Sequence, residues 1–338
     1  MINPTGNSAD DTSAAHLQVD DRLGDLLHHP AFAGFGRLLL PWDDRDHDPR
    51  VRLSEVGSLL PYHSHVDPDV VVASLNRMID DVGADRTVFY DIYSDAEKRA
   101  EPPRRNTGLF FFRGRPGAPF AVIAPGGGFA YVGSLHEGFP YAVEISERGY
   151  NAFVLKYRAG HGASAATADL AAAISFVFRN AAALGVTTVH HSVWGSSAGG
   201  RMAAAIGSHG TARFGGADLP RPSAVVVLYT GHSDVGPTEP PTFVAVGDAD
   251  GIAPPSTMER RIAALRRRGA DVEYRKYPAS GTGSDWVSGP VPRDGSTMQF
   301  ASGRDRSRES RPTRVGNPDR TFQTRRINGE AYVGTERD

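Results

Sequence analysis

The sequence predicts an α/β fold in which a mostly parallel, eight-stranded sheet is covered by helices on both faces. Apolar runs such as residues 224–229 suit strands that are buried on both sides, as parallel strands are. From residue 120 onward such runs alternate with longer segments of helical periodicity. The 338 residues suffice for one large domain of this class together with additional segments.

The predicted strands and helices follow one another in a regular order. Strands are expected at residues 87–93, 109–113, 120–124, 152–157, 192–194, 224–229, 242–246 and 272–277. Helices are expected at residues 67–83, 135–148, 167–184, 198–206 and 256–268. A polar, proline-containing stretch at residues 101–106 joins the first two strands, which indicates an antiparallel entry to the sheet.

Composition divides the chain into four parts. Residues 1–22 are polar and acidic and predict a disordered tail. Residues 23–83 contain clustered leucines and a helical pattern that starts at Asp67-Pro68, which predicts a helical strap capping a site or a dimer surface. Residues 84–278 predict the α/β core. Residues 279–338 lack leucine and are rich in arginine, which predicts a disordered basic tail.

The bulk properties exclude several classes of protein. A net charge of -2 argues against a nucleic-acid-binding body, and no segment approaches the roughly 20 apolar residues of a membrane span. The polar start does not resemble a secretory signal, and the chain contains no cysteine. We therefore expect a cytoplasmic protein without nucleic-acid or membrane partners, and leave a homodimer open.

The run Gly195-Ser196-Ser197-Ala198-Gly199 is the most informative motif of the chain. It follows an apolar strand and precedes a helix of small residues, which is the setting of a nucleophile elbow. The flanking glycines are needed because this turn leaves no room for side chains. Ser197 is thus the candidate nucleophile. The alternative interpretation is an ordinary helix start rich in small residues.

A second motif, Pro125-Gly126-Gly127-Gly128-Phe129, directly follows the third predicted strand. Glycines allow backbone N–H groups to approach a ligand closely, as an oxyanion hole requires. We assign the donors to Gly127 or Gly128 and to Ala198. The alternative is a flexible glycine turn.

A third motif, Gly247-Asp248-Ala249-Asp250, follows the seventh predicted strand. An acid in this loop can orient a histidine base and stabilise its protonated form. Asp250 is the preferred candidate. Asp248 is the second choice, and a turn or helix cap is the alternative interpretation of either residue.

With these motifs in this order, the chain resembles the α/β-hydrolases over roughly residues 23–278. The resemblance is to their bacterial carboxylesterase branch, near the acetylxylan-esterase-like and hormone-sensitive-lipase-like enzymes. It implies the α/β-hydrolase fold and a Ser-Asp-His triad acting on a small-molecule ester, with no metal or organic cofactor. Such enzymes follow their last strand with a loop of the form G-x-G-H-G-F-G and an amphipathic helix.

The chain departs from this pattern because none of its twelve histidines lies beyond His232. A surrogate base would have to come from elsewhere. His136 and His232 are candidates near the mouth of the site, although a role in a substrate pocket, together with Phe129, or in packing is favoured. The loop predicted to face Ser197 and Asp250 provides neither histidine.

A frameshift explains the absence best. When the last base of each codon from Pro278 is read with the first two of the next, allowed codons spell G-L-G-H-G-F-G-L-G-Q-R-A-G-A-E-G-W-L-D-D-A-V-R-F-W. Free third bases make most of this string permissive. Three codons of this second reading frame allow no choice, however. The codon that spans Asp285 and Trp286 must encode Leu, the one that spans Trp286 and Val287 must encode Gly, and the one that spans Met298 and Gln299 must encode Ala. Loss of one base near Pro278 would account for the basic tail and the missing loop, helix and histidine.

The sequence therefore predicts a serine ester hydrolase whose final segment is disrupted, with weak activity and poor stability in the polypeptide as written. Two alternatives stay open. One is a non-catalytic binding protein or pseudoenzyme, which the missing histidine favours. The other is a peptidase or a dienelactone-type hydrolase on the same scaffold, although dienelactone hydrolases use cysteine as nucleophile.

Overall fold

The computed structural model describes residues 15–61 and 66–277. The predicted basic tail at residues 279–338 and most of the predicted N-terminal tail lie outside these ranges. Within them, one expectation is corrected. Residues 15–22 are not part of a disordered tail, because Leu17 is buried in the core and its backbone N–H donates to the Asn76 side chain at 2.8 Å. A single leucine in a polar segment gives too little periodicity to predict this contact.

Eight strands in the described residues form one sheet. Their bounds are β1 Phe89–Tyr90, β2 Gly108–Phe112, β3 Pro119–Ala124, β4 Asn151–Lys156, β5 Thr187–Ser196, β6 Ala224–Leu228, β7 Thr242–Gly247 and β8 Val272–Tyr277. They lie in the order β1-β2-β4-β3-β5-β6-β7-β8. The neighbours β1/β2 and β2/β4 run antiparallel, and all other neighbouring strands run parallel. The mostly parallel sheet and its antiparallel entry are therefore as the sequence predicts.

The longer helices connect these strands. Their bounds, with those of the shorter helices, are α1 Leu23–Leu27, α2 Pro68–Gly83, α3 Asp95–Ala100, α4 Phe139–Glu147, α5 Gly162–Arg179, α6 Ala181–Leu184, α7 Ala198–His209 and α8 Pro255–Arg267. Short 3₁₀ turns occupy much of the N-terminal strap, and a π-helical turn at Ser134–Gly138 precedes α4.

Several boundaries differ from the prediction for local reasons. The first strand shrinks to β1 because it lies at the sheet edge and pairs with β2 at only two residues. The predicted helix at residues 135–148 starts as a π turn, and Pro140, which lacks an N–H, lies in the first turn of α4. Helix α5 ends at Arg179, and α6 forms separately before Gly185, whose φ of +66° ends it.

The N-terminal strap packs against the loops at the carboxyl end of the sheet. Lys156 at the end of β4 is fully buried, and its Nζ lies 2.8 Å from Asp43 and donates to the Leu40 carbonyl at 2.9 Å. Burial lowers the pKa of this ammonium group, and the Asp43 carboxylate opposes the shift. A buried cation needs such partners, so this contact fixes residues 40–43 beside the strands.

The same part of the strap touches the segment that follows the glycine-rich loop. Val132 donates its backbone N–H to the Pro41 carbonyl at 2.9 Å, and the rings of Trp42 and Tyr131 lie 4.8 Å apart. Residues 41 and 42 of the strap thus contact the segment that follows the predicted oxyanion loop.

His191 in β5 makes the fold sensitive to acid. Its ring is only 2% exposed and packs against Phe120 and Phe178 at centroid distances of 5.5 and 4.9 Å. Burial lowers the pKa of this imidazole to about 4. Because the folded pKa lies below the unfolded one, the neutral ring contributes stability above pH 6.5, and this contribution is lost as the pH falls towards 4.

We expect a His191→Leu variant to lose less stability in acid than the wild type. The imidazole should account for about 2 kcal/mol of the wild type's loss between pH 7 and pH 4.5, since each pKa unit corresponds to about 1.4 kcal/mol. Urea unfolding of both proteins at the two pH values measures the difference. Equal losses in the two proteins would contradict the assignment.

Candidate active site

Ser197 occupies a sharp turn between β5 and α7. Its φ of +50° and ψ of -117° are seldom adopted by a residue with a side chain. Its backbone N–H donates to the Leu228 carbonyl of β6 at 2.9 Å, and its carbonyl accepts from the Arg201 N–H at 3.1 Å. Such strain costs on the order of 1–3 kcal/mol and is typical of functional positions. The strained serine is the geometry that the predicted elbow requires.

The flanking glycines are necessary because backbone crowds this turn. A Cβ at Gly195 would lie 2.2 Å from the Gly199 carbonyl oxygen. A Cβ at Gly199 would lie 1.8 Å from the carbonyl oxygen of Ala124, the last residue of β3. Both distances are far below van der Waals contact, so the spacing of the motif follows from close backbone contacts within the elbow and between the elbow and β3.

The glycine-rich loop lies directly beside Ser197. A Cβ at Gly126 would lie 3.0 Å from the Ser197 Cβ. Gly127 and Gly128 adopt φ values of +134° and +59°, and a Cβ at Gly127 would lie 2.1 Å from the Tyr131 carbonyl oxygen. The predicted oxyanion loop and the predicted nucleophile are therefore neighbours.

The hydrogen bonds of this loop orient its N–H groups. The Gly126 carbonyl accepts from the Gly133 N–H at 2.9 Å, and the Tyr157 hydroxyl lies 3.2 Å from the same oxygen. The Gly127 carbonyl accepts from the Ala130 N–H at 3.0 Å. Since C=O and N–H point in opposite directions across a trans peptide, these bonds direct the N–H groups of Gly127 and Gly128 away from the loop's own contacts. Those two groups are the predicted oxyanion donors.

Ala198 is the first residue of α7, so its N–H has no carbonyl partner within the helix. An N–H at a helix start also carries part of the positive end of the helix dipole. The position is suited to the predicted third donor.

The two candidate acids differ in burial. Asp250 is 4% exposed, and its Oδ1 accepts from the N–H groups of Ile252 and Ala253 at 2.9 and 2.7 Å. Asp248 is exposed, and its backbone N–H donates to the Tyr277 carbonyl at 3.0 Å. Both acids follow β7, which is separated from β5 by the single strand β6 and runs parallel to it. They therefore lie at the same carboxyl edge of the sheet as Ser197. A carboxylate held by backbone donors is better suited to orient a base, which favours Asp250.

The two histidine candidates lie in different surroundings. His136 is 8% exposed, and its Nε2 lies 3.4 Å from Oε1 of Glu137. His232 is half-buried in the loop after β6. Burial, with smaller contributions from Arg261 and Arg201, lowers the pKa of His232 to about 4, which makes it a weak base near neutral pH. The loop expected to provide the histidine begins at Pro278 and lies outside the described residues.

Phe129, the remaining candidate of the substrate pocket, is half-buried with a φ of +63°. Its ring lies 6.5 Å from that of Tyr157, and its carbonyl accepts from the Gly160 N–H at 2.7 Å. The residue therefore closes the glycine-rich loop on the side of β4.

Three further residues contact the site but were not identified as functional from the sequence, namely Glu137, Tyr157 and Tyr229. All three are buried, and their polar atoms hydrogen-bond to the glycine-rich loop, the elbow or one another. Burial and the charge of Glu137 raise the pKa of both tyrosines. A lone glutamate in S-L-H-E-G-F has no motif around it, so only the tertiary structure identifies it.

Within residues 15–61 and 66–277, no three acidic, histidine or cysteine side chains gather closely enough to hold a metal ion. Among the helices of this same part of the chain, none has the length and apolar character needed to cross a bilayer.

Comparison with known proteins gives one family and several structures. The BD-FAE family model matches residues 114–224, from the end of β2 to the start of β6. This interval contains both the glycine-rich loop and Ser197. No curated protein matches the sequence.

Among solved structures, the acetyl ester-xyloside bifunctional hydrolase from Caldicellulosiruptor lactoaceticus is 21% identical, with a TM-score of 0.53 over 63% of this chain and 93% of that one. MGS-M1, an alpha/beta hydrolase enzyme from a Medee basin deep-sea metagenome library, is 26% identical, with a TM-score of 0.48 over 54% and 82%. Butyrate-bound Est2, a thermophilic esterase from Thermogutta terrifontis, is 20% identical, with a TM-score of 0.46 over 52% and 80%. The sheet order, with the first of these likenesses, confirms the α/β-hydrolase fold that the sequence predicts.

We expect Gly199→Ala to destabilise the protein by about 1–3 kcal/mol, since the added methyl group would overlap the Ala124 carbonyl and separate the elbow from β3. Gly83→Ala at the end of α2 is a matched control, because a Cβ there meets no atom within 4 Å. Urea unfolding measures both variants. The prediction fails if Gly199→Ala is as stable as Gly83→Ala.

Proposed function

We propose that this chain, which has the α/β-hydrolase fold, is a serine ester hydrolase with Ser197 as its nucleophile. The observation that carries the proposal is the strained backbone of Ser197 directly beside the glycine-rich loop. A packing role alone does not require a serine at φ +50° next to N–H groups that point away from their own loop. An acyl-transfer site requires both.

The reaction follows from this arrangement. The Ser197 Oγ attacks the ester carbonyl while a base takes its proton, and the N–H groups of Gly127 or Gly128 and Ala198 stabilise the resulting oxyanion. Collapse of the tetrahedral intermediate expels the alcohol, which receives the proton from the base. Water then attacks the acyl-enzyme by the same route and releases the acid. Asp250 orients the base and stabilises its protonated form.

We assign the base to a histidine encoded in the second reading frame after Pro278. The last residues before this point support the assignment, because β8 pairs with β7 in register as far as Tyr277. The Tyr277 carbonyl also accepts from the Asp248 N–H, beside the loop that holds Asp250. A histidine placed a few residues beyond Tyr277 would therefore start from the neighbourhood of the candidate acid.

The proposed substrate is an ester with a small acyl group, such as an acetylated sugar. The similarity to an acetyl ester-xyloside hydrolase supports this class. A peptidase or dienelactone-type hydrolase is the alternative within the same fold, and parallel panels of acyl esters and peptides would separate the two. A non-catalytic binding protein is favoured by one observation only, the lack of a histidine beyond His232.

Restoring the second reading frame should restore activity. We expect the polypeptide encoded with one added base near codon 278 to hydrolyse p-nitrophenyl acetate about 10⁴–10⁶ times faster than the chain as written, the usual effect of a missing triad member. Sequencing of codons 270–305 from independent template accompanies the assay. Equal rates for the two polypeptides would exclude the proposed base.

Labelling with a fluorophosphonate tests whether Ser197 is the nucleophile. We expect slow labelling of the chain as written, because an oxyanion hole without its base retains some reactivity. Intact-mass spectrometry should show one adduct on the wild type and none on Ser197→Ala. Ser208→Ala changes a buried serine near the end of α7 and is a matched control that should still be labelled. An adduct on Ser197→Ala would refute the assignment.

A further inference from the structure

We infer that Glu137 is a positioning residue that holds the glycine-rich loop and the nucleophile elbow in register. The inference rests on the proposed function of Ser197, whereas the contacts of Glu137 are observed in the structure whatever that function is. Glu137 is the fourth residue of the π-helical turn before α4 and is 2% exposed. No motif in the sequence includes it.

The carboxylate of Glu137 accepts hydrogen bonds from three elements of the site. Its Oε2 accepts from the Gly126 N–H at 2.5 Å and from the Ser196 hydroxyl at 2.6 Å. Its Oε1 accepts from the Tyr229 hydroxyl. Gly126 begins the glycine triplet, Ser196 ends β5 beside the nucleophile, and Tyr229 directly follows β6. One side chain thus connects the three segments whose relative positions define the site.

Each donor is adjacent to a group with a proposed role. Gly126 precedes the oxyanion donor Gly127, and Ser196 precedes Ser197. Tyr229 follows Leu228, whose carbonyl accepts from the Ser197 N–H. A displacement of any of these partners would be passed along one peptide unit to the reacting groups, because peptide planes are rigid.

The fit around the carboxylate is close. A Cβ at Gly126 would lie 2.5 Å from Oε2 of Glu137 and 3.0 Å from the Ser196 carbonyl oxygen. The carboxylate therefore occupies the space that a side chain at position 126 would need. This accounts for a glycine at 126, where no positive φ requires one.

An ionised carboxylate is better suited to this position than an amide. It is acceptor-only, so it can take all three hydrogen bonds at once, and such charge-assisted bonds are about twice as strong as neutral ones. In a glutamine, the NH₂ group would face either the Gly126 N–H and the Ser196 hydroxyl or the Tyr229 hydroxyl. One orientation places donor against donor at Gly126, which would turn that peptide.

Asp169 offers a matched control elsewhere in the chain. It is fully buried in α5 and accepts from the Tyr93 hydroxyl at 2.7 Å and from the Arg158 N–H at 2.8 Å. Its partners belong to neither the elbow nor the glycine-rich loop. Asp169→Asn should therefore cost stability as Glu137→Gln does, without altering the proposed site.

The test combines two measurements on the full chain under conditions where all variants are folded. Hydrogen exchange of peptides covering residues 124–132 and 192–200 reports on the register of loop and elbow. The second-order rate of Ser197 phosphonylation by a fluorophosphonate reports on function. For Glu137→Gln we expect faster hydrogen exchange in both peptides and a phosphonylation rate about 10- to 100-fold lower. This decrease is no larger than the one expected when a whole oxyanion donor is removed. Asp169→Asn should change neither.

The outcomes separate this inference from the proposed function. Unchanged exchange and an unchanged phosphonylation rate in Glu137→Gln would overturn the role of Glu137. If neither the wild type nor the polypeptide with the restored reading frame is labelled, the proposed nucleophile is wrong, while faster exchange in Glu137→Gln would still support the positioning role. If Glu137→Gln does not fold, Ser196→Ala removes a single donor, and we expect a rate about three- to tenfold lower with the thermal midpoint nearly kept.

Discussion

The structure of the site depends on the contact between two backbone segments at the elbow. Gly199 lies so close to the carbonyl of Ala124 that a methyl group at 199 would have to overlap it. This contact joins the start of α7 to the end of β3, and the glycine-rich loop begins one residue later at Pro125. The proposed nucleophile and the proposed oxyanion donors are adjacent because two strands pack without side chains between their ends.

Buried charged side chains and their hydrogen bonds also hold the segments of the site in place. The Glu137 carboxylate lies under the loop and the elbow, and Lys156 holds the strap at the edge of the same region. Buried charges of this kind cost desolvation energy and contribute little net stability even when paired. Glu137 bonds to three segments of the site and Lys156 to residues 40–43 of the strap, so these charges fix the positions of segments that apolar packing alone would leave less defined.

Much of this arrangement could be predicted from the sequence. Apolar runs such as that of β6 identify buried parallel strands. Gly195 and Gly199 identify the elbow because a side chain at either position would overlap backbone atoms. The short β1, the π turn before α4 and the buried Leu17 depend on tertiary contacts and were not predictable from local patterns. Glu137 shows the limit most clearly, since its three partners come from positions 126, 196 and 229.

The stability cost of the features at the site helps to explain why the histidine is missing. A serine at φ +50° and a buried carboxylate both reduce stability, and such features are kept where function depends on them. A chain that had long served as a binding protein would gain stability by replacing them. Residues up to Tyr277 keep every one of these features, whereas the change in composition begins at Ala279. This contrast favours a single lost base in a working hydrolase over gradual divergence of a non-catalytic one.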